Sequence, residues 1–105
     1  MNRPVITAIA IRKARNTAEY LVRVHAPDNF MVTGVQIILL FFDGSRQTAA
    51  ATRYRQSDLW RCRIRGELLS RVHTLRAVAF DFPGNAAEVD YMISPVEAAR
   101  FIPGR

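Results

Sequence analysis

Polar and apolar residues alternate along much of this chain, in stretches separated by short clusters of turn-forming residues. From Leu59 to Arg65 the order Leu-Trp-Arg-Cys-Arg-Ile-Arg places Trp60, Cys62 and Ile64 on one side of an extended backbone and Arg61, Arg63 and Arg65 on the other. That is the pattern of a half-buried strand. The same period of two predicts seven strands, at Pro4 to Arg12, Ala18 to Ala26, Gly34 to Phe42, Gln47 to Arg55, Leu59 to Arg65, Thr74 to Phe82 and Ala87 to Ile93. Between them lie Asn16-Thr17, Pro27-Asp28-Asn29, Asp43-Gly44-Ser45, Gln56-Ser57-Asp58 and Pro83-Gly84-Asn85, all residue types that supply turns. Pro83-Gly84-Asn85 supplies the positive-φ position that a tight hairpin needs. No helical period precedes residue 94, where Ser94 fits an N-cap, Pro95 the first turn and Glu97 the third position of a short helix that Pro103 would end.

Seven short strands at about ten-residue spacing predict an all-β domain, a seven-stranded antiparallel immunoglobulin-like sandwich over residues 1–93 with a short tail or helix over 94–105. The 105 residues suit one domain, and 50% hydrophobic with 23% charged residues is a globular balance. The longest apolar run, Ile37 to Phe42, is far short of the roughly 20 residues of a membrane span. The apolar stretch Val5 to Ile11 contains Thr7 and no small-residue cleavage pattern follows, so no signal peptide is evident and the compartment stays open.

Gly34-Val35, Ile38, Leu40, Phe42, Trp60, Ile64, Leu75, Ala77, Ala79, Asp81, Gly84 and Asn85 stand in an order that resembles bacterial Ig-like or fibronectin-III-like accessory domains. The resemblance covers residues 18 to 93. It implies a non-catalytic spacer, adhesion or binding module of the kind attached to larger extracellular proteins.

The residues that carry chemistry are sparse. Cys62 is the single cysteine, so the chain has no internal disulfide, and its place beside Trp60 and Ile64 predicts a buried thiol rather than a nucleophile. His25 and His73 lie on different strands without a metal-ligand spacing, and His25 should point to solvent. There is no Gly-x-Ser-x-Gly elbow and no glycine-rich phosphate loop. Asp81 fits a cap on the following turn better than a calcium ligand. The expectation is a non-enzyme without cofactor or metal.

Two surfaces remain as binding candidates. Fifteen basic against nine acidic residues give a formal charge of +6. If Leu21, Arg23 and His25 face outward beside Arg61, Arg63 and Arg65, the four arginines form one patch suited to a polyanion or a carbohydrate. Only Tyr54 accompanies it as an aromatic, which argues against nucleic acid. On the other sheet, Ile38, Leu40 and Phe42 with Leu75, Ala77 and Ala79 are assigned to the core. That sends Ile37, Leu39, Phe41, Val78, Phe80 and Phe82 outward as an apolar partner-binding face. Its cover is a protein partner, a second copy in a homodimer, or the tail through Val96, Ala99 and Phe101. The reading that follows is a non-catalytic protein interaction module, with a carbohydrate- or polyanion-binding module or a structural spacer as alternatives.

Overall fold

The computed structural model describes residues 4–15, 17–27 and 31–102. Among the described residues seven strands form in chain order, β1 (Ala8–Lys13), β2 (Glu19–His25), β3 (Val32–Phe41), β4 (Arg46–Arg53), β5 (Leu59–Arg65), β6 (Val72–Asp81) and β7 (Ala86–Met92). A short helix α1 (Gly66–Leu69) joins β5 to β6, and α2 (Pro95–Ala99) follows β7. All seven strands belong to one antiparallel sheet in the order β1-β2-β5-β4-β3-β6-β7.

The sheet is open and curled on itself, and β4 is where it bends. Val35 to Leu40 of β3 register with Arg46 to Ala51 of β4, whereas β5 meets β4 only through the pairs Thr52↔Arg61 and Arg53↔Trp60. The inner side chains of β2 and β5, namely Val22, Val24, Trp60, Cys62 and Ile64, then share one core with Val35, Ile37, Leu39, Leu75, Ala77 and Ala79 of β3 and β6. At 0% exposure, Val22 and Val24 require an apolar layer across from them, which β3 and β6 supply.

Two hairpins use the same device. In Phe41 to Ser45 the amide of Gly44 donates to the Phe41 carbonyl and the amide of Phe41 to the Ser45 carbonyl. Gly84 and Asp81 repeat these bonds with Asp81 and Asn85 as partners. Gly44 at φ +88 and Gly84 at φ +94 occupy the left-handed position that closes such loops. Buried Asp81 accepts from the Asn85 amide at 2.7 Å and from Asn85 Nδ2 at 3.1 Å, which gives it the turn-capping role. Asn16, the Asp28-Asn29 part of the second turn and Pro103 lie outside the described residues.

The outward assignment of β3 is overturned. Val35, Ile37, Leu39 and Phe41 point into the core, and Ile38 and Leu40 lie half-buried on the outer face with Phe42 exposed beyond them. Both sides of β3 are apolar, so period two separates the faces without saying which is inside. The β6 register decides it: Val35↔Ala79, Ile37↔Ala77 and Leu39↔Leu75 are partners, and partners share a face. Val78 and Phe80 do stand on the outer side, but Val78 is itself buried there and Phe80 half-buried; only Phe82, at a hairpin tip, is widely exposed. The six residues therefore make no single surface.

The described part of the tail, residues 94–102, does not cover that side either. Val96 and Ala99 of α2 are exposed, while Phe101 turns into the core. The helix begins as its residues dictate, with Ser94 Oγ accepting from the Glu97 amide at 3.1 Å and Pro95 in the first turn. Helix α1, a single turn of Gly-Glu-Leu-Leu, has no sequence period long enough to announce it.

Candidate anion-binding face

Strands β1, β2 and β5 carry the arginine face. In the β2–β5 register Arg23 lies opposite Arg61 and Leu21 opposite Arg63, so period two places all four on the outer side. Arg12 of β1 stands opposite Leu21 on that same side. A groove of about 440 Å³ results, lined by Arg12, Lys13, Arg15, Arg23, Arg61 and Arg63, with Leu21, Leu59, Ala14 and Tyr54 supplying its less polar surface. A second hollow of about 550 Å³ adjoins it, sharing Leu21, Tyr54, Arg61 and Arg63 and adding Arg53 and Arg55.

Arg23, Arg61 and Arg63, expected to act together, thus line one groove; Arg65 lies further along β5, opposite Glu19, outside the groove lining. Arg12, Lys13 and Arg15 are the groove residues that period-two reading of β2 and β5 did not include. The signal was present in the basic run Arg12-Lys13 and Arg15, but only the β1–β2 pairing shows that it flanks Arg23.

Two acid–arginine pairs lie beside this face. Glu19 Oε1 accepts from Arg63 Nη1 at 3.2 Å, and Glu67 lies 3.8 Å from Arg65 Nη2. Both pairs are solvent-exposed, where an ion pair contributes about 0–1 kcal/mol. Tyr54 is held by cations: the Arg61 guanidinium carbon lies 4.0 Å from its ring centroid and that of Arg55 5.1 Å. Arg53 lies 5.0 Å over the Trp60 ring and donates to the Val32 carbonyl at 3.0 Å, tying the end of β4 to β3.

Burial pushes the Cys62 thiol up, so this residue on the inner side of β5 stays protonated at neutral pH. His25 is exposed, as expected, with Nδ1 2.7 Å from Thr7 Oγ1. Among the described residues no cluster of three His, Cys, Asp or Glu side chains is placed to hold a metal ion, and no helix is long and apolar enough to cross a membrane.

A separate hollow of about 430 Å³ lies at the β3–β4 hairpin between Phe41, Phe42, Leu68 and Arg71. Its carboxylate, Asp43, is held below the usual range by the Ser45 hydroxyl and amide, which both donate to Oδ1. This serves the turn.

No protein family, no curated protein and no solved structure matches the chain.

Proposed function

We propose that this chain is a non-catalytic immunoglobulin-like binding module that takes an anionic polymer along the groove between β1, β2 and β5. The immunoglobulin-like reading draws on strand order: β1-β2-β5-β4 on one side of the bend and β7-β6-β3 on the other correspond to the A-B-E-D and G-F-C arrangement of that fold.

The observation that carries the function is the pair Arg23↔Arg61. Like charges directly opposite on one sheet face destabilise a strand pair, and here the pair sits among Arg12, Lys13, Arg15 and Arg63. A like-charge pair held at the centre of a basic groove fits a site that an anion completes, although Arg61 also packs over the Tyr54 ring. The guanidinium fork matches sulfate, phosphate and carboxylate oxygens in pairs, and fourteen of the fifteen cations are arginine. Recognition runs through charge. Arg61 already lies over the Tyr54 ring, so the one aromatic among the described groove residues is engaged rather than offered to a base.

Binding of heparin, a sulfated polysaccharide, tests the reading by calorimetry across a salt series. The wild type should bind with an affinity that falls steeply as salt rises, and Arg23→Glu with Arg61→Glu should weaken it at least tenfold while circular dichroism stays unchanged. Binding that ignores salt, or a folded double variant that binds like the wild type, refutes the proposal. Preference for single-stranded nucleic acid over heparin at equal charge would mean that Tyr54 stacks after all.

A further inference from the structure

The sheet is open, and β1 and β7 are its two edges; among the described residues neither pairs with a strand on its far side. The edges are chemically opposite. On β7 the register places Glu88 and Asp90 on the outer face, opposite Val78 and Arg76, and Val89 and Tyr91 on the inner face, opposite Ala77 and Leu75. On β1 it places Ala8, Ala10 and Arg12 on the outer face, and Ile9 and Ile11 on the inner face, opposite Val24 and Val22. Ile9 and Ile11 are only half-buried and Val89 is 37% exposed, so each edge leaves its inner apolar row partly uncovered.

We propose that copies of this chain assemble head to tail, β7 of one pairing with the free edge of β1 of the next, so that a single sheet continues from molecule to molecule. Strands of seven and six residues match in length. Their faces also match in kind. With the outer faces continuous, Glu88 comes beside Arg12 and the basic groove, while Asp90 stays paired with Arg76, whose Nε and Nη2 donate to it at 2.9 and 3.3 Å; the small side chains of Ala8 and Ala10 leave room for Glu88. Val89 and Tyr91 extend the inner apolar row over Ile9 and Ile11.

Charge also selects the mode of assembly. Joining β1 to β1 would bring Arg12 and Lys13 of both copies to one seam, and joining β7 to β7 would do the same with Glu88, Asp90 being already paired with Arg76; like charges in cross-strand contact are unfavourable. Only the unlike edges attract. Such an interface is heterologous, and it leaves one free β1 and one free β7 after every addition, so assembly continues unless the geometry closes a ring. Exposed edges invite pairing of this kind, and main-chain hydrogen bonds supply it. The edge pairing shares Arg12 with the groove but not the Arg23↔Arg61 pair on which the anionic ligand is proposed to depend.

Sedimentation velocity of the whole chain over a concentration series tests it through complementary charge reversals. The wild type should grow beyond a dimer as concentration rises. Arg12→Glu alone and Glu88→Arg alone should each associate about tenfold or more weakly. An equimolar mixture of the two variants should associate again, because the acidic β1 of one meets the basic β7 of the other. Both substitutions are at exposed positions, and rescue on mixing shows that each variant is folded. A wild type that stays monomeric, variants that associate as the wild type does, or a mixture that fails to recover overturns the proposal. A dimer whose two charge-reversal variants fail to associate on mixing overturns it in favour of β1–β1 or β7–β7 pairing; a dimer that the mixture restores is the two-membered ring of the same β1–β7 contact. Arg23→Glu with Arg61→Glu should self-associate normally; loss of association there overturns the edge pairing and points to copies bridged by a polyanion in the groove.

Discussion

Phe101 meets Tyr20 edge-on, with ring centroids 4.9 Å apart, and the Tyr20 hydroxyl donates to the neighbouring Arg100 carbonyl at 2.7 Å. Residues 80 apart in the chain thus fasten the segment after β7 to the start of β2. Phe101→Ala removes a buried aromatic at the end of the core and should destabilise the fold by about 3 kcal/mol or more. Tyr20→Phe keeps the ring contact, loses the hydrogen bond and should cost about 1 kcal/mol. Denaturant unfolding separates the two; equal effects would mean that the ring contact contributes little.

Gly66 lies against the same contact. A Cβ at this position would run into the Phe101 carbonyl oxygen, with the Tyr20 ring at 3.0 Å and the Ala18 carbonyl at 3.3 Å. Ordinarily Gly→Ala in a helix stabilises by up to about 1 kcal/mol. Here the sign should reverse, with Gly66→Ala destabilising by about 1–3 kcal/mol through overpacking against backbone. A neutral or stabilising result in chemical denaturation would show that the tail gives way.

Arg23→Glu should move stability and binding in opposite directions. The substitution places a carboxylate opposite Arg61, turning an unfavourable cross-strand pair into a favourable one worth about 0.2–1 kcal/mol. Heparin affinity should fall at the same time. Parallel loss of melting temperature and binding would identify Arg23 as structural.

Tyr91 sets a pH limit at the alkaline end. Its hydroxyl donates to Glu97 Oε2 at 2.7 Å, and partial burial together with that carboxylate raises the phenol from 10.0 to about 12. The folded state holds this proton more tightly than the unfolded state. The stability it contributes is therefore whole below about pH 10 and is lost as pH rises towards about 12. Ultraviolet titration should show a phenol ionising at about 12 that moves down in Glu97→Gln; an unmoved titration would exclude the hydrogen bond as a cause.

Cys62 should react slowly with a thiol-specific reagent at neutral pH in the folded protein and rapidly in denaturant, because burial both shields the sulfur and disfavours the thiolate. Equal rates in the two conditions would place the thiol at the surface.

The seven strands were legible because each has an alternating stretch and a turn residue at its end, and Leu59–Arg65 matches its boundaries residue for residue. The facing of β2, β5 and β6 was legible as well, since Arg23, Arg61 and Arg63 mark an outside, and the small Ala77 and Ala79 pack inside. Strand β3 has no such marker over Ile37-Ile38-Leu39-Leu40-Phe41-Phe42. Its sense follows from a long-range register, and the irregularities between Val32 and Gly34 and between Leu40 and Phe41 shift the alternation at both ends. A one-residue slip exchanges the two faces, so the apolar partner face was assigned to the wrong half of β3. The arginine groove was half legible: β2 and β5 supplied three of its cations, while the contribution of β1 depends on which strand occupies the edge.

Only Thr52 and Arg53 of β4 register with β5, so the two halves of the sheet are joined by a backbone seam two residue pairs long, extended at the turn by the Tyr54 amide donating to the Leu59 carbonyl at 2.7 Å. Such a seam lends itself to local opening, because few hydrogen bonds must break while the β3–β6 ladder stays closed. In native-state hydrogen exchange the amides of this seam should lose their protons to solvent at a lower free energy than those of Ile37 and Leu39. The difference should widen when Phe101 is removed, since the tail fastens the fold from the side away from β4.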